Sequence, residues 1–396
     1  MGMISAPLLS TSRAVHAPSG GGRLDFLDLA RALAVIGMMS AHLLAPLAAV
    51  PGSSDFQGLL ARAAALFAEG YPSTLFAVIG GSSLVLSTRR RLAVGDRRGA
   101  VVSALVRGLC VCVIGLVLEL LPSSVMVVLV PFGLAMMITA PLLLVPSRVL
   151  VPLIAVIAVG GHPLAMAVPG RVELGTVTLL SLADPLAVLR GIVLTGQYPL
   201  ITLVPYLLTG VVLMRGLLRA HRSLVLAKWS RRVAAGGVLA AALGHALPLL
   251  AGAFGHAEPG SWYMADPHTG TLGDMLATAG VAAALIGLLT GLLPADRRVH
   301  GRLSRAVRAA GAAPLTLYVG HVLLTSISLI LAVVLSGGEL VAMPWYVAGA
   351  GVLCVHVTLA IGLGALLAAK ERRGPLEALL GRVVRRFAPN AELSSR

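Results

Sequence analysis

LDFLDLARALAVIGMMSAH, residues 24–42, decides the fold class. The apolar run within it extends from 29 to 48, about the 20 residues a helix needs to cross a bilayer. In helical form it sets Arg31 eleven residues before His42. Eleven residues are about three turns, so the two side chains share a face roughly 16 Å apart along the axis. Asp28 lies three residues before Arg31, on that face again. A cation at the membrane boundary and an imidazole well inside it point to function, because ionisable groups in hydrocarbon are costly and rarely incidental.

The rest of the chain repeats this apolar texture. Its 396 residues are 57% hydrophobic and 12% charged, with mean hydropathy +0.93. A soluble domain carries about twice that charged fraction. The composition therefore reads as an all-α, polytopic integral membrane protein. Ten apolar spans follow, at 29–48, 70–88, 100–121, 124–145, 148–167, 199–218, 232–253, 273–294, 309–335 and 344–368. Pro131, Pro141, Pro146 and Pro152 interrupt the fourth and fifth. Cys110, Cys112 and Cys354 sit inside spans, give neither a disulfide framework nor zinc spacing, and read as core residues.

The net charge of +15 sorts by side of the membrane. Arg89, Arg90, Arg91, Arg97 and Arg98 follow the second span. Arg215, Arg219, Arg222, Lys228, Arg231 and Arg232 follow the sixth, and Arg297, Arg298, Arg302, Arg305 and Arg308 the eighth. The tail adds Lys370, Arg372, Arg373, Arg382, Arg385, Arg386 and Arg396. Connections on the opposite side hold only Arg62, Arg171 and Arg190. Positive residues stay cytoplasmic, so both termini are expected inside. The basicity is a topology signal and calls for no nucleic-acid partner.

Residues 1–22 are rich in Ser, Gly and Pro and lack a continuous apolar core, so they read as a disordered cytoplasmic arm and not a signal peptide. Residues 23–370 form the transmembrane domain, and 371–396 a basic cytoplasmic tail. Within the tail, 376–387 has helical apolar spacing opposite arginines. That suits a helix on the membrane surface or a plain soluble helix.

Three outward connections remain. Residues 49–69 include a short amphipathic stretch, and 168–198 carry Glu173, Asp184, Arg190 and Tyr198. Residues 254–274, FGHAEPGSWYMADPHTGTLGD, concentrate His256, Glu258, Trp262, Tyr263, Asp266, His268, Thr269 and Asp274. Such stacking and hydrogen-bonding groups suit a hydroxylated ligand, although interfacial aromatics are also ordinary in outward loops. Of the intramembrane histidines, His162, His245 and His356 read as packing residues. A zinc site needs three or four convergent ligands, and no HxxxH or HExxH pair occurs, so no metal is expected. His42 stands apart because it shares a face with Arg31 and Asp28, and it is the candidate catalytic residue.

Arg31, ten residues, then His42, introduced by LDLAR, resembles the Arg-x10-His signature of the acyltransferase-3 family. TLFAVIGGSSLVLSTRRR at 74–91 resembles the second block of the related heparan-α-glucosaminide N-acetyltransferase-like membrane proteins. YPLITLVPYLLTGVVLMR at 198–215 resembles their Pro-Tyr-x-x-x-Gly span, and GAAPLTLYVGHV at 311–322 their closing Gly-x-x-x-Leu-Thr-x-Tyr-x-x-His block. PHTGT at 267–271 is similar to a His-Ser-Gly-Thr loop of actinobacterial relatives. The likeness runs over most of residues 24–368.

The resemblance implies acyl transfer, often of acetyl, from cytoplasmic acyl-CoA to a hydroxyl or amine on the far side. Arg31, with Asp28 and Arg107, then serves the donor's phosphates. His42 acts as base or acyl carrier, with His268 as a second catalytic candidate. His321, Tyr318, Asp266, Thr269 and Trp262 are the candidates for acceptor binding. The partners expected are acyl-CoA, a glycan, envelope-lipid or metabolite acceptor, and the bilayer, with a homodimer left open. The Ala/Gly/Arg-rich composition suggests the plasma membrane of a high-GC bacterium. Ten spans and intramembrane ionisable groups also suit a transporter or lipid flippase. Against that reading, the chain shows no repeated halves and few intramembrane acids, Glu119 among them. A structural or regulatory subunit without chemistry is the third reading.

Overall fold

The computed structural model describes residues 25–49, 55–168, 184–255, 260–293, 301–338 and 344–389. The expected N-terminal arm, Arg171, Glu173, His256, Glu258, Arg297 and Arg298 lie outside the described residues. Everything described is helix or connection. In chain order the helices are α1 (Asp25–Leu44), α2 (Asp55–Phe67), α3 (Tyr71–Ala93), α4 (Arg97–Leu118), α5 (Leu129–Leu142), α6 (Ser147–Ala167), α7 (Pro185–Arg190), α8 (Leu200–Arg222), α9 (Leu226–Ala253), α10 (Leu272–Leu292), α11 (Arg302–Gly311), α12 (Pro314–Leu335), α13 (Ala350–Ala369) and α14 (Pro375–Phe387). A π-helical turn, Gly191–Thr195, continues α7.

Among the described residues, nine segments are long and apolar enough to cross a membrane. They bear out nine of the ten expected spans, making this a multi-pass membrane protein. The fourth expected span, 124–145, is the correction. Its helix is α5, 14 residues ending over Pro141, too short to cross a bilayer alone. Before it, 119–128 are irregular, yet Val125, Val127 and Val128 are buried. Non-helical backbone at membrane depth is tolerated only inside protein or along a cavity, and this segment is held inside. The ninth span also divides at Ala312–Ala313 into the amphipathic α11 and the apolar α12.

Local chemistry sets the ends of the key helices. α1 starts with Asp25 and Asp28 in its first turn, where carboxylates favour the helix dipole. α3 begins beside Pro72 and ends with Arg90 and Arg91, matching both termini. Asp96 caps α4, accepting from the Gly99 amide at 2.8 Å. Thr271 caps α10 by accepting from the Asp274 amide at 3.1 Å.

The core lies where α1, α3, α8 and α10 meet. α3 and α8 cross with backbone almost on backbone. A β-carbon at Gly81 would lie 1.8 Å from the Leu207 carbonyl oxygen, and one at Gly210 would lie 1.8 Å from that of Val78. Ser82 fixes the crossing by donating to the Gly210 carbonyl at 3.0 Å. Small residues at such crossings are how membrane helices gain van der Waals contact. The same device holds α11 against α1, since a β-carbon at Gly311 would strike the Asp28 carbonyl. α6 and α9 sit at the periphery with exposed apolar faces, including Val156, Val159, Leu239 and Leu249. α14 folds back onto α4 and α12, burying Leu380 and Val384. Part of the tail's apolar stripe thus packs against the bundle, while Leu379 and Phe387 stay exposed.

Candidate active site

α1 joins two cavities. Arg31 lines one, of about 260 Å³, together with Ser83, Arg107, Phe132, Glu377 and Leu380. His42 lines the other, of about 220 Å³, with Glu69, Ser73, Gln197, Tyr198 and His268. Because α1 is helical from Asp25 to Leu44, the two residues are separated by three turns, as the sequence implies.

The Arg31 cavity is built by α1, α3, α4, α5, α12 and α14. Arg31 donates to Asp28 Oδ1 at 2.5 Å and to Ser83 Oγ at 2.8 Å. Ser83 Oγ in turn donates to the Ile79 carbonyl at 2.7 Å. Asp28 is buried and anchors the guanidinium rather than lining this cavity. Arg107 enters from α4, and its Nε is buried without a hydrogen-bond partner. Burying an unsatisfied donor costs about 1–3 kcal/mol, more for a charged group. Two guanidiniums in one apolar-walled cavity, one of them with an unmet donor, suit an anion. α14 supplies the floor. Its Glu377 accepts from the amides of Leu315 and Thr316 at 2.8 and 3.1 Å and from Thr316 Oγ1 at 2.6 Å, capping α12.

The His42 pocket mixes helix ends with irregular backbone. Ser124 and Met126 of the broken segment form part of its wall. Gly70, in a left-handed conformation, turns the chain into α3. His268 also has a positive φ, 63°, an unusual backbone state for a residue with a side chain. The turn brings its ring edge-on to Tyr198, with centroids 5.3 Å apart. Burial holds the His268 imidazole below its ordinary value, so near neutral pH it carries no charge and one nitrogen is a free acceptor. Burial, with the Glu69 carboxylate adding to it, pushes the Tyr198 phenol up to about 12, so it stays a donor.

Three histidines form a chain behind this pocket. His42 Nδ1 lies 3.2 Å from His321 Nε2, with the rings stacked 5.4 Å apart. His321 Nδ1 lies 2.8 Å from His356 Nδ1. With Nδ1 committed, Nε2 is the His42 nitrogen left for chemistry in the pocket. Among the described residues no cluster of three or more His, Cys, Asp or Glu has metal-holding geometry. The chain explains this, since His321 spends its two nitrogens in opposite directions.

A smaller chamber, about 20 Å³, adjoins the pocket and shares Ser73, Gln197, Tyr198 and His268 with it. Tyr206 and Asp274 complete it. Asp274 Oδ2 accepts from the Gly270 amide at 3.0 Å, while Oδ1 is buried with no partner. Tyr206 shares a hydrogen bond with Thr278 Oγ1 at 3.0 Å.

The structure thus groups Arg31 with Arg107, and His42 with His268 and His321. It places the other expected acceptor residues elsewhere. Trp262 is half-exposed and packs edge-on against Tyr263. Thr269 donates to the Asp266 carbonyl at 2.7 Å, shaping the turn that carries His268. Tyr318 is fully buried, and its hydroxyl accepts from the Val128 amide at 3.2 Å. It steadies the broken segment and lines neither pocket. His162 and His245 are satisfied, by the Gly260 carbonyl and the Tyr71 hydroxyl at 2.9 Å each. Ser83 and Gln197 line these cavities without having stood out in the sequence, where Asp274 was named only among the polar groups of its loop and His356 only as a packing residue.

The structure is thus a polytopic bundle with a basic cavity at one end of α1 and a histidine pocket at the other. Comparison with known families makes this specific. Residues 23–249 match the family described as heparan-alpha-glucosaminide N-acetyltransferase, catalytic, and the chain belongs to that family. No curated protein and no solved structure matches it. The matched region holds Arg31, His42, Arg107 and Tyr198, and ends before His268, Asp274, His321 and His356.

Proposed function

We infer that this protein is an acyltransferase that takes an acyl group, acetyl in the first instance, from acyl-CoA on the cytoplasmic side. It delivers that group to a hydroxyl or amine on the outer side of a bacterial plasma membrane. The observation that carries the reading is α1 itself, which puts Arg31 in one cavity and His42 in the other. Family membership favours this reading over a transporter. Arg31 and Arg107 receive the phosphates of the donor, while the thin pantetheine arm follows α1 toward His42. The acceptor enters the His42 pocket. The Tyr198 hydroxyl, which lines that pocket, holds one of its hydrogen-bonding groups. His42 Nε2 removes the nucleophile's proton, or takes the acyl group first and then passes it on.

Acetyl-CoA should raise the thermal stability of the purified protein. A ligand at 100 times its Kd adds about 2.7 kcal/mol, and an acyl donor must bind the folded state to react. No shift at millimolar acetyl-CoA, with intact protein, would remove the donor assignment.

Sidedness has its own test. With the irregular 119–128 segment and α5 together completing the fourth crossing, the arginine asymmetry puts both termini and the Arg31 cavity on the cytoplasmic side. In a background lacking Cys110, Cys112 and Cys354, Gly95→Cys should react with an impermeant thiol reagent only after the cells are opened. Gly260→Cys should react in intact cells. The reverse pattern would invert the whole scheme.

A further inference from the structure

We propose that His356 is a positioning residue that works through His321, setting the tautomer of His42 and receiving the proton that His42 collects. The proposal rests on the acyltransferase reading for its chemistry, but the histidine chain itself is independent of it.

The argument is one of counting hydrogens. A neutral imidazole carries one N–H and one lone pair. The two contacts, His42 Nδ1 to His321 Nε2 at 3.2 Å and His321 Nδ1 to His356 Nδ1 at 2.8 Å, each need one hydrogen. If the single hydrogen of His321 sits on Nδ1, it donates to His356, and Nε2 must accept from His42 Nδ1–H. His42 Nε2 is then a bare lone pair. If the hydrogen of His321 sits on Nε2, it donates to His42, and Nδ1 must accept from His356 Nδ1–H. His42 Nε2 then carries hydrogen and cannot act as a base. Only these two neutral arrangements satisfy both contacts. His321 and His356 are both buried, at 2% and 3% exposure, where an unmade hydrogen bond is costly. The tautomer of His356 is therefore locked to that of His42, although His356 lines neither cavity.

The same chain moves charge. Starting from the reactive arrangement, the acceptor's O or N bonds to the acyl carbon as its O–H or N–H proton goes to His42 Nε2, and the C–S bond breaks so that CoA leaves as the thiolate and takes a proton from water. The Nδ1 proton of His42 passes to His321 Nε2, and the Nδ1 proton of His321 passes to His356 Nδ1. His42 and His321 end neutral, each with hydrogen on Nε2, and His356 ends as the imidazolium. The positive charge has left the acyl centre without any side chain moving far. After the product departs, the transfers run backward and His42 returns the proton to water in the pocket.

The experiment compares wild type, His356→Asn and His356→Phe as full chains in nanodiscs. Asn offers a hydrogen-bonding group where Nδ1 stood but takes up no proton. Phe keeps the ring volume and offers nothing. With acetyl-CoA as donor and an accepted nucleophile, His356→Phe should lower kcat about tenfold or more, a part of the 10²–10⁴ typical of a general base, with the KM for acetyl-CoA unchanged. His356→Asn should recover part of the loss. The dependence of kcat on deuterium fraction should bow in wild type, with several protons in flight, and become linear in both variants. Histidine-selective ¹⁵N spectra should show His42 as the Nδ1–H tautomer in wild type and as a mixture in His356→Phe. Unchanged kcat with an unchanged isotope profile in His356→Phe would overturn the proposal. So would a His42 tautomer indifferent to residue 356. A wild type without turnover would count against the acyltransferase reading alone, because the tautomer comparison would still decide the chain.

Discussion

His42→Asn should lose nearly all acyl transfer while the bundle stays folded. The choice of Asn follows from the geometry. His42 uses Nδ1 to reach His321 at 3.2 Å, and an asparagine amide occupies about that position, so the buried partner keeps its hydrogen bond. What disappears is Nε2, the nitrogen left for the pocket. His42→Ala would remove both and orphan His321 as well, mixing a folding cost of about 1–3 kcal/mol with the chemical one. The expected loss in kcat is about 10²–10⁴, the usual contribution of a positioned general base. If His42 carries the acyl group, the loss is larger still. Acetyl-CoA should protect the variant against heat as well as wild type, since the proposed phosphate site lies three turns away. Turnover measured beside His268→Asn decides between the two histidines of the pocket. Asparagine suits that second position because it tolerates the positive φ of residue 268. If His42→Asn turns over normally and His268→Asn does not, the chemistry belongs to the loop.

The first helix was legible because everything it says is local. Arg31 and His42 share one uninterrupted helix, so three turns of rise fix their separation before any packing is known. The fourth span was misread for the opposite reason. Its apolar composition is right for a membrane, but backbone continuity is decided by what surrounds the segment. Val128 finds its partner in the Tyr318 hydroxyl, 190 residues away. His356 was read as a packing residue even though the expected spans 309–335 and 344–368 put it and His321 at similar depth, near the middle of each. Depth does not say which way a ring turns, and that is decided by how α12 and α13 pack. Asp274 was named only among the polar groups of its loop, since as the third residue after a Thr cap an acid is ordinary helix chemistry. Its unmet oxygen emerges only once burial is known.

Arg107→Met should weaken acetyl-CoA binding and at the same time stabilise the empty protein. The two effects have one cause. Arg107 Nε is buried in the Arg31 cavity without a partner, so the folded protein keeps one donor of a half-buried cation unmet. Methionine fills similar space without charge, and replacing a poorly compensated buried charge by an apolar residue is often neutral or stabilising. Arg31 should behave in the opposite way. It is tied to Asp28 at 2.5 Å and to Ser83 at 2.8 Å, so Arg31→Ala takes a cation away from the buried Asp28 carboxylate and destabilises the fold. The donor effect is therefore best read in the pair Asp28→Asn with Arg31→Met, where no charge is stranded. Each guanidinium that meets a phosphate contributes hydrogen bonds worth about 1.5–3 kcal/mol, or roughly ten- to 150-fold in Kd. Arg31→Lys should fall between, retaining the charge but losing the planar fork. Calorimetry with acetyl-CoA gives the affinity, and melting without ligand gives the stability. A lower melting temperature with unchanged affinity in Arg107→Met would mean that this arginine serves the fold and that the cavity is not a phosphate site. A rise in stability with a drop in affinity is the signature of a cation kept unsatisfied for its substrate.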